Sequence, residues 1–320
     1  MEKAQKMALL VGCNYPNTPY ELRGCHNDVL AMHEVLVDRF GFDPVRVDLL
    51  IDKPGSSIMP TGANIKKALE KMIGQAKPGD VLFFHFSGHG TLIKPHFSCK
   101  KEEAIVPCDF NLVTNVDFRE LVNHVPERAT FTFLSDSCHS GGLIDKETEQ
   151  IGPSSIHGKD IFGSSLDVAG NSHKPKTIPI QSIIEHLTSM TKINTSDIAT
   201  HLVELFGSDA SLPFRIPPHK HGSIAKALKP DEGILLSGCQ ADETSADVEI
   251  TENGRMGYGA FSHAIEMVLK ENLSPLSNRQ VVLLARNTLK MQHFNKQHPC
   301  LYCNDENADA IFLSQADHQP

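Results

Sequence analysis

The chain has 320 residues, 40% of them hydrophobic, and a formal net charge of −9. That length allows about two domains or one large α/β domain, and the apolar share is ample for a core. The acidic balance, with no Lys/Arg run longer than two residues, argues against a nucleic-acid or anionic-membrane surface and suits basic substrates.

In chain order, Met7–Cys13 is predicted as a strand. It is too short for the core of an export signal, and no stretch approaches the roughly 20 apolar residues of a membrane span. Asn27–Phe40 sets Val29, Met32, Leu36 and Phe40 on one helical face. Val45–Ile51 reads as a strand, and Thr61–Ala76 as a helix capped by Thr61. Asp80–Ser87 and Thr130–Asp136 are short, aromatic, Gly-bounded runs that read as buried strands, with a helix at Asp117–Val125 between them. This alternation predicts a parallel sheet covered by helices. Of the 36 residues from Asp145 to Ile180, 12 are Gly, Pro or Ser. That stretch reads as a long exposed linker. Helices at Ile180–Met190 and Thr195–Phe206 follow, then a loose stretch, Leu212–Gly222. Strand Gly233–Cys239, helices Tyr258–Asn272 and Asn278–Phe294, and a last strand Ala310–Leu313 complete the chain. The organisation is thus a first half at 1–145, a linker region at 146–229 and a second half at 230–320.

Two strands end in chemistry-bearing motifs. Asp80–Phe86 leads into Ser87-Gly88-His89-Gly90, and Thr130–Leu134 into Ser135-Asp136-Ser137-Cys138-His139-Ser140-Gly141-Gly142. His89 and Cys138 therefore sit at carboxyl ends of strands, the edge where open α/β sheets bind ligands. A thiolate beside an imidazole is a nucleophile with its own base. An ordinary core cysteine and histidine are the alternative. The glycines around both positions argue against it, because glycine packs poorly and lets backbone approach a substrate; burial of Cys138 is not expected. His85 points away from Phe84 and Phe86, and His139 supports the loop. Cys25 and Asp28 lie three residues apart, on one face of a helical turn. Asp136 lies two residues before Cys138, near the reacting centre. Cys300 and Cys303 form a lone CxxC, too few ligands for structural zinc. Eight scattered cysteines read as free thiols of a reducing, cytoplasmic setting.

His89 and Cys138 are 49 residues apart, close to the spacing known in caspases. His85-Phe86-Ser87-Gly88-His89-Gly90 with Asp136-Ser137-Cys138-His139-Ser140-Gly141-Gly142 resembles the metacaspases. Leu22–Asp28 (LRGCHND), Gly238–Asp247 (GCQADETSAD) and His298–Cys303 (HPCLYC) extend the resemblance from about Met7 to Leu313 and make it similar to the plant type II members. The resemblance implies a caspase-like α/β fold in which large-subunit-like and small-subunit-like halves share one sheet of about six mostly parallel strands, with the linker as an insert. It implies a cysteine endopeptidase in which Cys138 attacks, His89 is base and then acid, and the N–H groups of Gly90 and Cys138 hold the oxyanion. Cys25, Asp28, Ser87 and Asp136 match the family's primary pocket. Two carboxylates there favour Arg or Lys and repel Asp. Protein or peptide substrates, a monomer, and a role in programmed cell death or stress proteolysis follow from the same likeness.

Type II members are made as zymogens with a basic cleavage point between their halves. Lys176 is the first choice here, Arg215 the second and Lys159 the third; Lys174 is disfavoured by Pro175. No cofactor is expected. Calcium wants six to eight oxygens, and Glu102, Glu103, Asp109 and Asp117 make only a poor set, because Val116 interrupts the acidic run. The competing readings are a catalytically silent caspase-like scaffold and a thiol redox sensor.

Overall fold

The structure, a computed structural model, describes residues 4–93, 102–144, 149–152, 173–216, 233–240, 243–249 and 256–314. The strands are β1 Lys6–Gly12, β2 Val47–Ile51, β3 Val81–Ser87, β4 Gly90–Ile93, β5 Glu102–Ile105, β6 Val113–Thr114, β7 Thr130–Asp136, β8 Glu149–Ile151, β9 His173–Pro175, β10 Ile234–Ser237, β11 Ala246–Val248, β12 Tyr258–Gly259 and β13 Cys300–Tyr302. The helices are α1 Cys25–Asp38, α2 Gly62–Gln75, α3 Asn115–Val122, α4 Ile180–Thr191, α5 Ile198–Phe206, α6 Leu212–Arg215, α7 Ala260–Glu271, α8 Asn278–Met291 and α9 Asp305–Asp309. No described helix is long and apolar enough to cross a membrane.

The central sheet has seven strands in the order β2-β1-β3-β7-β10-β13-β8. From β2 to β10 every pair is parallel; β13 and β8 are added antiparallel. The period of two along β3 divides the core between the two faces of the sheet. Leu82, Phe84 and Phe86 share one cluster with Ile65, Leu69, Met72 and Ile73 of α2 and Phe118 of α3. Val81 and Phe83 share the other with Val29, Met32, Val35 and Leu36 of α1 and with buried residues of α7 and α8. Thr61 caps α2 by accepting from the Asn64 N–H at 3.2 Å.

Two expectations need correction, the bare linker over 145–180 and the last strand. The expected mostly parallel sheet of about six strands is found with seven, and β8 comes from the stretch read as a linker. β9, from the same stretch, pairs antiparallel with β11, while the two helices expected after it are present as α4 and α5, with Ile183, Leu187 and Leu202 buried in the core. The last strand is Cys300–Tyr302 rather than Ala310–Leu313. Phe312 and Leu313 are apolar because they are core anchors, while Ile311 makes only a single bridge to Ser277.

This topology sets the site. Ser87 at the end of β3 pairs with Asp136 at the end of β7. Ser135 pairs with Ser237 of β10. Three parallel strands thus end at one edge, and the loops beyond them carry His89, Cys138 and Cys239.

Candidate active site

His89 is 3% exposed and Cys138 is fully buried. The Cys138 burial corrects the sequence expectation; its cause is chain lying over it. The Cys138 N–H donates to the Lys176 carbonyl at 3.1 Å, and the Gly90 N–H donates to the same oxygen at 3.0 Å. These are the two donors expected to hold an oxyanion. Lys176 N–H donates to Ser245 O at 2.8 Å and Ile178 N–H to Gly90 O at 3.2 Å. The segment continues β9, which pairs antiparallel with β11 in a separate three-stranded sheet, and Thr177 makes a parallel bridge to Gly90. A Cβ on Gly90 would lie 1.9 Å from the Cys138 carbonyl oxygen, so only glycine permits this approach.

The Lys176 side chain is fully buried. Its Nζ is 3.1 Å from Asp136 Oδ2, 3.4 Å from Asp28 Oδ2 and 2.9 Å from Ser87 Oγ. Ser87 Oγ in turn donates to Asp28 Oδ2 at 2.6 Å. A Cβ on Gly259 would lie 2.1 Å from Lys176 Nζ; that wall of the pocket is bare backbone. Burial opposes the Lys176 charge, but Asp136 foremost holds its pKa well above the usual lysine value. Burial pushes the Asp28 carboxyl up to about 6, with Lys176 acting against it. Burial would also raise Asp136, but Lys176 and hydrogen bonds from Ser245 and Ser262 outweigh it and hold that carboxyl low. A buried charge of this kind is tolerated only when paired and hydrogen-bonded.

His89 Nε2 lies 2.8 Å from the Tyr20 carbonyl. A carbonyl only accepts, so Nε2 carries the proton and Nδ1 keeps its lone pair. Nδ1 is buried without a hydrogen-bond partner among the described residues. Burial lowers the ring pKa to about 4, despite the Tyr20 bond. The imidazole is therefore neutral near pH 7 and able to accept a proton. Its backbone N–H donates to Tyr15 Oη at 2.8 Å, and that hydroxyl donates to Val106 O at 2.5 Å. Ser245 N–H donates to Cys138 Sγ at 3.0 Å.

The fold brings together His89, Gly90, Cys138, Cys25, Asp28, Ser87, Asp136 and Lys176. Cys25 is buried beside Ser87, within the field of Lys176. Arg215 is exposed at the end of α6, and Lys159 lies outside the described residues. His85 shares the face of β3 that carries Ser87 but lies two residues back along the strand, 3.0 Å from Ser262 Oγ. Sequence reasoning missed Tyr15, Tyr20, Ser245, Ser262 and Gly259. Ser245 and Asp247 belong to GCQADETSAD, where a signal existed. Asp247 accepts from the N–H groups of Arg23 and Gly24 at 2.8 and 2.9 Å and so fixes the turn that starts α1. Tyr20 acts through its carbonyl, which any residue supplies, so its identity carried no signal.

The four calcium candidates are not brought together. Asp109 accepts from Gly62 and Asn111 N–H at 3.0 and 3.2 Å, and Asp117 from Thr114 and Leu212 N–H at 2.8 and 3.1 Å. Glu102 faces Ile93 across the β4–β5 pair. Among the described residues, no group of three or more His, Cys, Asp or Glu is arranged to hold a metal ion. Glu103 instead accepts from Gly142 N–H at 2.5 Å, tying the loop after Cys138 to β5. Burial pushes its carboxyl up from 4.5 to about 7. The folded chain therefore holds this proton more tightly than the unfolded one. The resulting stability is complete below about pH 4.5 and lost as pH rises through about 7. Glu103→Gln is expected to flatten that loss by on the order of 3 kcal/mol. Chemical unfolding between pH 4 and 8 checks it, and parallel profiles for variant and wild type would refute it.

Residues 5–311 match the family model described as the caspase domain. The chain is 54% identical to Metacaspase-9 of Arabidopsis thaliana over 97% of each sequence. The chain belongs to the metacaspases, within the caspase-domain family. Metacaspase-6 of the same plant is 38% identical over 96% of this chain and 99% of its own length. The likeness to plant type II metacaspases drawn from the motifs is thus borne out across nearly the whole metacaspase sequence. Membership makes the chain a cysteine-type peptidase with protein substrates. Protein GSU0716 from Geobacter sulfurreducens, a solved structure, shares the fold at a TM-score of 0.60, with 17% identity over 98% of this chain and 100% of that one.

Proposed function

We propose that this metacaspase is an endopeptidase zymogen that cuts after Lys or Arg and activates itself by cutting its own Lys176–Thr177 bond. One observation carries the reading. The Lys176 ammonium lies between Asp28 and Asp136 while its carbonyl oxygen accepts from both Gly90 and Cys138 N–H. A peptide bound for hydrolysis would make the same contacts.

In this reading Cys138 Sγ attacks the Lys176 carbonyl carbon. The charge that develops on oxygen is held by two N–H groups already aimed at it, with no reorganisation. His89 Nδ1 takes the thiol proton and passes it to the Thr177 nitrogen as the C–N bond breaks. Water then releases the acyl group from sulfur. Tyr20 O fixes the ring's tautomer throughout. Arg suits the pocket as Lys does, since two carboxylates can take its forked donors. We further propose that activity does not depend on calcium, because Glu103, Asp109 and Asp117 are already hydrogen-bonded on separate elements.

N-terminal sequencing of the smaller product tests the cut. A start at Thr177 is the expected result. A start at Ile216 would transfer the assignment to Arg215, and full activity of an uncut chain would end the zymogen reading. Peptides ending in Asp should resist hydrolysis, because a third carboxylate would meet Asp28 and Asp136; their efficient cleavage would overturn the specificity.

A further inference from the structure

We propose that Cys138 and Cys239 are a redox pair: a hydroperoxide converts them to a disulfide that shuts off the peptidase reversibly. The inference rests on the reading of Cys138 as nucleophile for its effect on activity, though not for the bond itself.

The sheet aligns the two residues. β7 and β10 are adjacent and parallel, with Ser135 opposite Ser237. The pairing continues past the strand ends, where Gly238 N–H donates to Ser135 O at 2.8 Å. Three residues beyond Ser135 is Cys138, and two beyond Ser237 is Cys239. The Cys239 sulfur lies 3.7 Å from Ser137 O and 3.6 Å from Glu243 O, within reach of either for its one S–H donor. It thus lies against the peptide that leads into Cys138. Both cysteines are fully buried and neither is in a disulfide. The hydrogen bond between the two thiols, and then burial, hold the Cys239 pKa well above the usual thiol value. At rest Cys239 therefore stays protonated and does not compete for substrate. The catalytic scheme gives it no role.

The chemistry needs only a peroxide. The Cys138 thiolate attacks one peroxide oxygen, the O–O bond breaks, and sulfenic acid forms while the other oxygen leaves as water or an alcohol. Cys239 sulfur then attacks Cys138 sulfur. The S–O bond breaks, and the Cys239 proton leaves with the hydroxide as water. With hydrogen peroxide, two thiols and one peroxide become one disulfide and two waters. A dithiol reductant returns both thiols by exchange. Without Cys239 the sulfenic acid has no other thiol beside it among the described residues and proceeds to sulfinic acid, which a dithiol does not reduce.

The test uses the full-length chain after self-processing, treated with hydrogen peroxide and then dithiothreitol. Peptide mass spectrometry should find Cys138 and Cys239 linked and lighter by two hydrogens. Hydrolysis of a Lys-amide should be lost and then largely recovered. Cys239→Ser should process itself and hydrolyse as wild type does, yet recover about tenfold less activity, with Cys138 found as sulfinic acid. Cys239→Ala repeats the measurement without a hydroxyl, should the serine disturb folding. Wild-type Cys138 oxidised beyond the thiol while Cys239 stays free would overturn the pair. So would full recovery in both variants. A linked peptide with undiminished hydrolysis would leave the bond standing, overturn the switch, and remove Cys138 as nucleophile.

Discussion

Cys138→Ala is expected to remain an uncut 320-residue chain and to lose peptide hydrolysis by about 10⁴-fold or more. The sulfur is the only atom removed, and it is the atom that would form the acyl intermediate. Cys138 N–H, the proposed oxyanion donor, is retained by alanine, so the residual rate measures what the pocket and that donor contribute without a nucleophile. The fold should tolerate the change. Cys138 lies in a loop, and the backbone donor that its sulfur satisfies is Ser245 N–H at 3.0 Å. The cost should stay within the roughly 1–3 kcal/mol of one unpartnered buried donor. Electrophoresis after expression and hydrolysis of a Lys-amide by added trypsin-nicked variant provide the readouts. Appearance of a fragment starting at Thr177 in pure Cys138→Ala would eliminate the proposed nucleophile.

Lys176→Ala should both prevent the cut at 176 and destabilise the uncut chain by on the order of 3–5 kcal/mol. The loss arises because Asp28 and Asp136 would then face each other in a buried pocket without a cation. Both carboxyl pKa values should rise when the ammonium is removed. Raised carboxyl pKa values stabilise the folded state only at low pH, so the penalty should be large at pH 8 and shrink toward pH 5 as the pair takes up protons. Thermal unfolding at the two pH values checks the sign. Arginine amide should raise the variant's melting temperature and leave wild type unchanged, since only the variant has room for it. A variant as stable as wild type at pH 8 would contradict the ion-pair account.

Much of the site was legible in the sequence because its residues sit where strands stop. Gly-flanked His89 and Cys138 follow aromatic runs, and their loops could be placed on one edge from alternation alone. The partnership of Asp28 with Asp136 came from family likeness, because 107 intervening residues separate them and no local pattern states that distance. Loose composition misled over 145–180: Lys-Pro-Lys reads as surface, yet Lys176 is fully buried. Its burial depends on carboxylates contributed by α1 and β7, and so on contacts no window of neighbouring residues contains. Strand β8 was missed for a similar reason. Glu-Gln-Ile has no period of its own and becomes a strand only by pairing with β13.

The Lys176 tether also has a kinetic meaning. A ligand joined to its own receptor is present at an effective concentration that bulk dilution leaves untouched. Self-scission within one molecule should then be first order, with a half-life independent of how much protein is in the tube. For the same reason, a soluble basic inhibitor must outcompete a neighbour that never diffuses away. Compounds selected against the cut form should therefore bind the uncut form poorly, and an inhibitor's apparent potency should report which form a preparation contains.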